Sequence, residues 1–213
     1  MVETIKIGLS DLHAAVLKAD EKGNLSYGTP FKIAPAVSAS ITPESADDSF
    51  YADDIALISN RTISAITVEL ETADIKDEVV SKLLGNEIDE NGVVRDNINT
   101  VAPQVALMFR SLKSNGKYKY VTLYKGSFAQ SSDQFQTKEE SATFQTTPLT
   151  GSFLPTIHNG DWRASVNEDS ELATAEVIQD WFVNVYGSTA TDTATDPVEA
   201  PAMAVYEDDE AGE

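Results

Sequence analysis

The chain has 213 residues, 35 of them acidic and 15 basic, for a formal net charge of −20, and it contains no cysteine. That length suits one large or two small domains and buries enough surface to fold without covalent staples, while the missing thiols exclude disulfides, zinc–thiolate centres and thiol chemistry. The acidity excludes a protein that wraps nucleic acid, because phosphates need Lys and Arg against them. It does not exclude a surface that DNA slides past, where repulsion prevents sticking. No signal-peptide pattern and no apolar run of membrane-spanning length is visible, which reads as a protein made in a cytoplasm and leaving it only inside a particle.

Most of the chain reads as strand. Leu12 to Ala19 is a short apolar segment that ends in a turn around Glu21-Lys22-Gly23-Asn24. From Val37 to Thr42 the residues alternate, with Val37, Ala39 and Ile41 on one face and Ser38, Ser40 and Thr42 on the other, the period-2 mark of a half-buried strand. Thr62 to Glu71 repeats it: Ile66, Val68 and Leu70 share one face, Thr67, Glu69 and Glu71 the other. Between them, Pro43 to Arg61 reads as a loop too long for a hairpin connection, with Asp47, Asp48, Asp53 and Asp54 interleaved with Phe50, Tyr51, Ile55, Leu57 and Ile58. Apolar residues in such a loop need a surface to pack on, and a neighbouring subunit can supply it.

A helix is predicted over about 74–84, capped by Asp74, stopped by Gly85, and burying Ile75, Val79 and Leu83. Val105 to Leu112 and Tyr118 to Tyr124 are strand-like runs joined by Ser114-Asn115-Gly116-Lys117, and an Asn-Gly pair in that place marks a hairpin with positive φ at both turn positions. Asn91-Gly92 and Asn159-Gly160 mark two further turns, and Ala142 to Leu154 another strand, interrupted near Pro148. Leu172, Ala175, Ile178, Trp181 and Val185 recur at three- and four-residue spacing, predicting a second helix over about 171–186 capped by Ser170. From 187 to 213 there are eight carboxylates and no basic residue, leaving −12 on the remainder. This segment reads as a mobile acidic tail behind one domain spanning 1–186.

Chemistry-bearing motifs are sparse. His13 lies in an apolar run and His158 beside a turn, so neither stands where a metal site or a Ser-His-Asp triad needs it. Asp89-Glu90-Asn91-Gly92 has the wrong spacing for an EF-hand and reads as a turn. No phosphate loop or nucleophile elbow is present, and no carboxylate pair is singled out for glycosidase chemistry. The expectation is a protein with no enzymatic activity, cofactor or metal.

The segment Leu107-Met108-Phe109-Arg110-Ser111-Leu112-Lys113-Ser114-Asn115-Gly116-Lys117-Tyr118-Lys119-Tyr120, continuing through Leu123-Tyr124-Lys125-Gly126, resembles the central hairpin of a major tail (tail tube) protein family of long, non-contractile-tailed bacteriophages, chiefly of Gram-positive hosts. Ile7 to His13, Ala39 to Pro43 with Tyr51 to Asp54, and Phe144 to Thr146 with Gly151 to Phe153 and Trp162 are similar to the same family. The resemblance covers residues 5 to about 186. It implies a mainly β fold, an antiparallel β-sandwich or flattened barrel flanked by the two helices. It also implies a structural virion protein whose hexameric rings stack into a tail tube, made in the host cytoplasm, with the tube conducting DNA at ejection. Its expected partners are itself, the tape measure, tail terminator and distal tail proteins, and phage DNA in transit without specific binding; no membrane is implied. A capsid decoration protein or an adhesin-like module shares the composition and is the rival reading. Two placements follow: Ser38, Ser40, Thr42, Thr67, Glu69 and Glu71 face the lumen, and Pro43 to Arg61 is an assembly arm ordered against another subunit.

Overall fold

A computed structural model of the chain describes residues 4–52, 55–129 and 146–191. Strand β1 (Lys6–Glu21) turns at Lys22-Gly23 into β2 (Asn24–Tyr27), and β3 (Phe31–Lys32) returns beside His13 and Ala14. Two long strands follow, β4 (Ala36–Ala52) and β5 (Ile55–Thr72), paired antiparallel from Ala36–Thr72 down to Ala52–Ile55. Next come α1 (Asp77–Leu84), a small ribbon of β6 (Glu87–Ile88) and β7 (Val94–Arg95), and the central hairpin of β8 (Val105–Lys113) and β9 (Tyr118–Ala129). Strands β10 (Thr147–Leu154) and β11 (Arg163–Asn167), helix α2 (Ala175–Asp180) and β12 (Ala190–Thr191) complete the described chain.

The main sheet runs β12-β2-β1-β8-β9-β10-β5-β4, with β11 beside β9 and β3 beside β1, and every pairing is antiparallel except β12 with β2. β9 exchanges partners along its length: β11 covers Lys119 to Leu123 and β10 covers Lys125 to Ala129, with a bulge at the junction. Leu12 and Ala14 of β1 share one buried cluster with Ile66, Val68 and Leu70 of β5, though three strands separate β1 from β5 in the ladder. The sheet therefore curls over its own apolar face, as expected for a mainly β, sandwich-like protein. A second cluster on the reverse face, built from Ala15, Leu25, Tyr27, Ala106, Met108, Tyr124 and Val185, lies under the 182–185 segment. Both faces of β8 are thus covered, which explains an unbroken buried run from Val105 to Phe109.

Several local expectations are corrected. Helix α1 begins at Asp77 with Lys76 at the N-cap and no side-chain cap, so Asp74 does not cap it; Gly85, at φ 78°, stops it as expected. Ile75, Val79 and Leu83 do face the core. The second helix is only Ala175–Asp180, and Thr174 rather than Ser170 caps it by accepting from Val177 N. Residues 170–173 form a turn ahead of the helix, which throws Leu172 out of register and leaves it 92% exposed, while Trp181 and Val185 are buried from the turns beyond. In the central hairpin only Gly116 has positive φ. The Gly116 N–H donates to Lys113 O and Lys113 N–H to Lys117 O, so the loop is a three-residue turn closed by one left-handed glycine. Val37 is the extra residue of a bulge between the Ala36–Thr72 and Ser38–Glu71 pairs and lies exposed, so Ala36, Ala39 and Ile41 hold the inner face instead. β10 passes through Pro148 uninterrupted, because the ladder to β9 begins only at Thr150 and no N–H is needed there on that side. Residues 187–191, the first of the segment read as tail, are held on the sheet: Thr189 N–H donates to Leu25 O, and Ala190 and Thr191 pair with Ser26 and Tyr27. Residues 142–145 lie outside the described residues.

Candidate assembly surfaces

The alternation in β4 and β5 builds a wall one sheet thick. Its inner face carries Ala39, Ile41, Ile66, Val68 and Leu70 against the core. Its outer face places the six residues predicted for the lumen in cross-strand rows: Ser38 opposite Glu71, Ser40 opposite Glu69, and Thr42 opposite Thr67. All are exposed except half-buried Thr67. Ser38 Oγ donates to Glu71 Oε2 at 3.2 Å, and Thr67 Oγ1 to Glu44 Oε1 at 3.0 Å. The rows continue into β10, where Pro148, Thr150 and Ser152 stand opposite Glu71, Glu69 and Thr67, and into β9, where Ser127 stands opposite Ser152. Sequence reading missed this half of the surface, although Thr150 and Ser152 alternate with buried Leu149, Gly151 and Phe153. The rows hold small hydroxyls and carboxylates. The first cation beyond them is Lys125, and Asp20 holds it at 2.6 Å.

The Pro43 to Arg61 segment is not a loop. It is the outer half of the β4–β5 hairpin, with Asp47 opposite Arg61, Asp48 opposite Asn60, Phe50 opposite Ile58 and Tyr51 opposite Ala56. The alternation that would have announced it is broken by bulges at Glu44/Ser45 and Phe50/Tyr51. β10 accompanies β5 only as far as Ile66, so from Ala65 outward the ribbon has two strands. Ile55 and Leu57 lie on its β5 limb, and Asp53 and Asp54, at the tip, fall outside the described residues. The ladder ends on β4, whose outer edge has no strand partner among the described residues.

Neither histidine builds a reactive site. His13 Nδ1 donates to Asp11 O at 2.9 Å, pinning the bulge at Asp11, the one described non-glycine residue with positive φ, and its ring lies 4.8 Å from that of Phe182. The His158 N–H donates to Asp20 Oδ1. Asp89 accepts from Asn91 N and Val93 N and pairs with Arg95, which accounts for the carboxylate of the 89–92 turn. No group of three or more metal-ligating side chains occurs among the described residues. A cleft of about 440 Å³ beside α2 is lined by Glu176, Asp180, Trp181 and Tyr186, but both carboxylates are exposed helix-surface groups with no enclosure to exclude water.

The described chain is thus an antiparallel β wall with one dry and one wet face, prolonged into a two-stranded arm. The family model for phage tail tube protein matches residues 2–190, and the chain belongs to that family. It is a structural component of the virion tail that self-assembles into a tube. No curated protein sequence matches the chain.

Proposed function

We propose that this tail tube protein forms hexameric rings that stack into the conduit for DNA ejection, with Ser38, Ser40, Thr42, Thr67, Glu69 and Glu71 facing the lumen and the outer β4–β5 hairpin reaching a neighbouring subunit. The observation that carries this reading is the wet face of the wall: rows of hydroxyls and carboxylates across four strands, backed by a continuous apolar layer. Such a face holds hydration and repels phosphate, so DNA passes without lodging. The open edge of β4 supports lateral closure, because joining sheet edges around a ring removes them. The tape measure, tail terminator and distal tail proteins are then its further partners in the tail.

Negative-stain microscopy of the purified chain tests the assembly: hollow filaments with sixfold cross-sections are expected, and dispersed particles at all concentrations refute it. The lumen placement has its own test. Glu69→Lys with Glu71→Lys should leave tubes intact and reduce DNA ejection; normal infectivity of such a phage argues for an outward face.

A further inference from the structure

An asparagine followed by glycine is a chemical weak point as well as a turn. Glycine has no Cβ, so its backbone nitrogen can swing onto the carbonyl carbon of the preceding carboxamide. The chain holds three such pairs, Asn91-Gly92, Asn115-Gly116 and Asn159-Gly160. All lie in exposed turns, and their glycines share a positive φ of 80°, 77° and 80°. In each, the glycine N–H donates to a carbonyl oxygen behind it, that of Asp89 at 2.9 Å, Lys113 at 3.0 Å and Thr156 at 3.0 Å. In sequence, exposure and backbone geometry the three are alike.

They differ in how the carboxamide is held. Asn115 Nδ2 donates to Asp169 Oδ2 at 2.9 Å, and its Oδ1 accepts from Lys117 N at 3.1 Å. Asn159 Nδ2 donates to Asp161 Oδ2 at 2.7 Å, and its Oδ1 accepts from Asp161 N and Thr156 Oγ1. The Asn91 carboxamide has no hydrogen bond among the described residues; its backbone N–H alone is engaged, by Asp89 Oδ1. The surroundings differ too. Asn115 closes the β8–β9 hairpin inside the main sheet, and Asp20 ties the turn of Asn159 to β1. Asn91 sits at the tip of the separate β6–β7 ribbon, which has two residue pairs, Glu87–Arg95 and Ile88–Val94. A ribbon so small is marginal in water and is among the first parts of a fold to open.

We propose that Asn91 is a site of spontaneous covalent modification in the folded protein, converting to aspartate and isoaspartate while Asn115 and Asn159 stay intact. The Gly92 nitrogen attacks Asn91 Cγ. A bond forms between them, the Cγ–Nδ2 bond breaks, and ammonia leaves carrying the proton that Gly92 gives up. One water then opens the cyclic imide at either carbonyl. Both products add one negative charge to a chain already at −20. The isoaspartate product also adds a methylene to the main chain, so the turn from Asp89 to Val93 no longer closes as before. The main sheet shares no strand with the ribbon, which confines the change to residues around 87–95.

Peptide mapping by mass spectrometry of the full-length chain, kept dilute in warm, mildly alkaline buffer, tests this, with isoaspartate counted by enzymatic methyl transfer. Conversion at Asn91 is expected to outrun that at Asn115 and at Asn159 by about tenfold, the weight of roughly one hydrogen bond that each of those must first break. In denaturant the three rates should converge, because the sequence alone makes the pairs alike. Asp169→Ala, which removes the acceptor of Asn115 Nδ2, should raise conversion at Asn115 and leave that at Asn91 unchanged. A thermal melt shows whether that variant is folded, and the comparison with denaturant needs no variant. Conversion at Asn115 or Asn159 as fast as at Asn91 in the folded chain overturns the proposal, and so does an intact Asn91. The same ranking in denaturant also overturns it, because the fold then has no part in the choice of site.

Discussion

Phe153 lies against the backbone of Gly126, its cross-strand partner, and Phe128 lies against Gly151 in the adjoining pair, with the two rings edge to face at 5.8 Å. A Cβ on Gly126 would meet the Phe153 ring at 2.3 Å inside a fully buried site, so Gly126→Ala should cost about 3 kcal/mol, read as a drop in urea midpoint. Asp20 ties the 156–161 turn to β1, accepting from Ile157 N, His158 N and Lys125 Nζ. Burial alone would raise its pKa; the two N–H donors and the ammonium outweigh it and hold it below the usual carboxylate value. Glu168, bound by Lys117 and Tyr118 N, and Asp169, bound by Lys113, are lowered too. A carboxyl with a depressed folded pKa stabilises above its unfolded value, near 4, and that contribution vanishes as pH falls through the folded value. Stability should therefore be level at neutral pH and fall below about pH 4, with a shallower fall in Asp20→Asn. At pH 7 that variant should lose about 3 kcal/mol, because Lys125, 12% exposed, is left without its counter-charge.

At the scale of elements, glycines that share a sign of φ differ in what surrounds them. Gly116 opens to solvent, so Gly116→Ala should cost about 1 kcal/mol from backbone strain alone. Gly85 has Val101 O at 2.7 Å from where a Cβ would stand, so Gly85→Ala should cost clearly more; thermal melts of the two variants compare them directly. The central hairpin was legible because Asn115-Gly116 sits between two strand runs, and six residues of the wall were legible because Ser38 to Thr42 and Thr67 to Glu71 keep strict phase. The outer hairpin was not legible, because two bulges shift its phase and charged residues stand where strands seldom carry them. Thr150 and Ser152 were hidden because Gly151 occupies an inward position whose volume Phe128 fills from the next strand, a relation no single segment displays. Leu172 misled because spacing alone does not say where helical hydrogen bonding starts.

Over the whole molecule, the two-stranded ribbon runs nine residues on its β4 limb, from Glu44 to Ala52, about 30 Å at ~3.3 Å per residue, and an isolated ribbon is marginal in water. Replacing 46–61 with a short turn should leave the monomer's melting unchanged and abolish filament growth seen by light scattering. Amides of 46–61 should exchange with deuterium faster in monomer than in filaments, and equal protection in both states would show the ribbon needs no neighbour. The register also sets its direction: Ile66 pairs with Phe153, which pairs with Gly126, so the ribbon leaves the wall on the side where β9 begins. Among the described residues, each subunit thus offers this protruding arm at one end. Any filament made by repeating it has two unlike tips, so growth has a preferred direction, and whatever starts the filament must present a surface unlike whatever stops it.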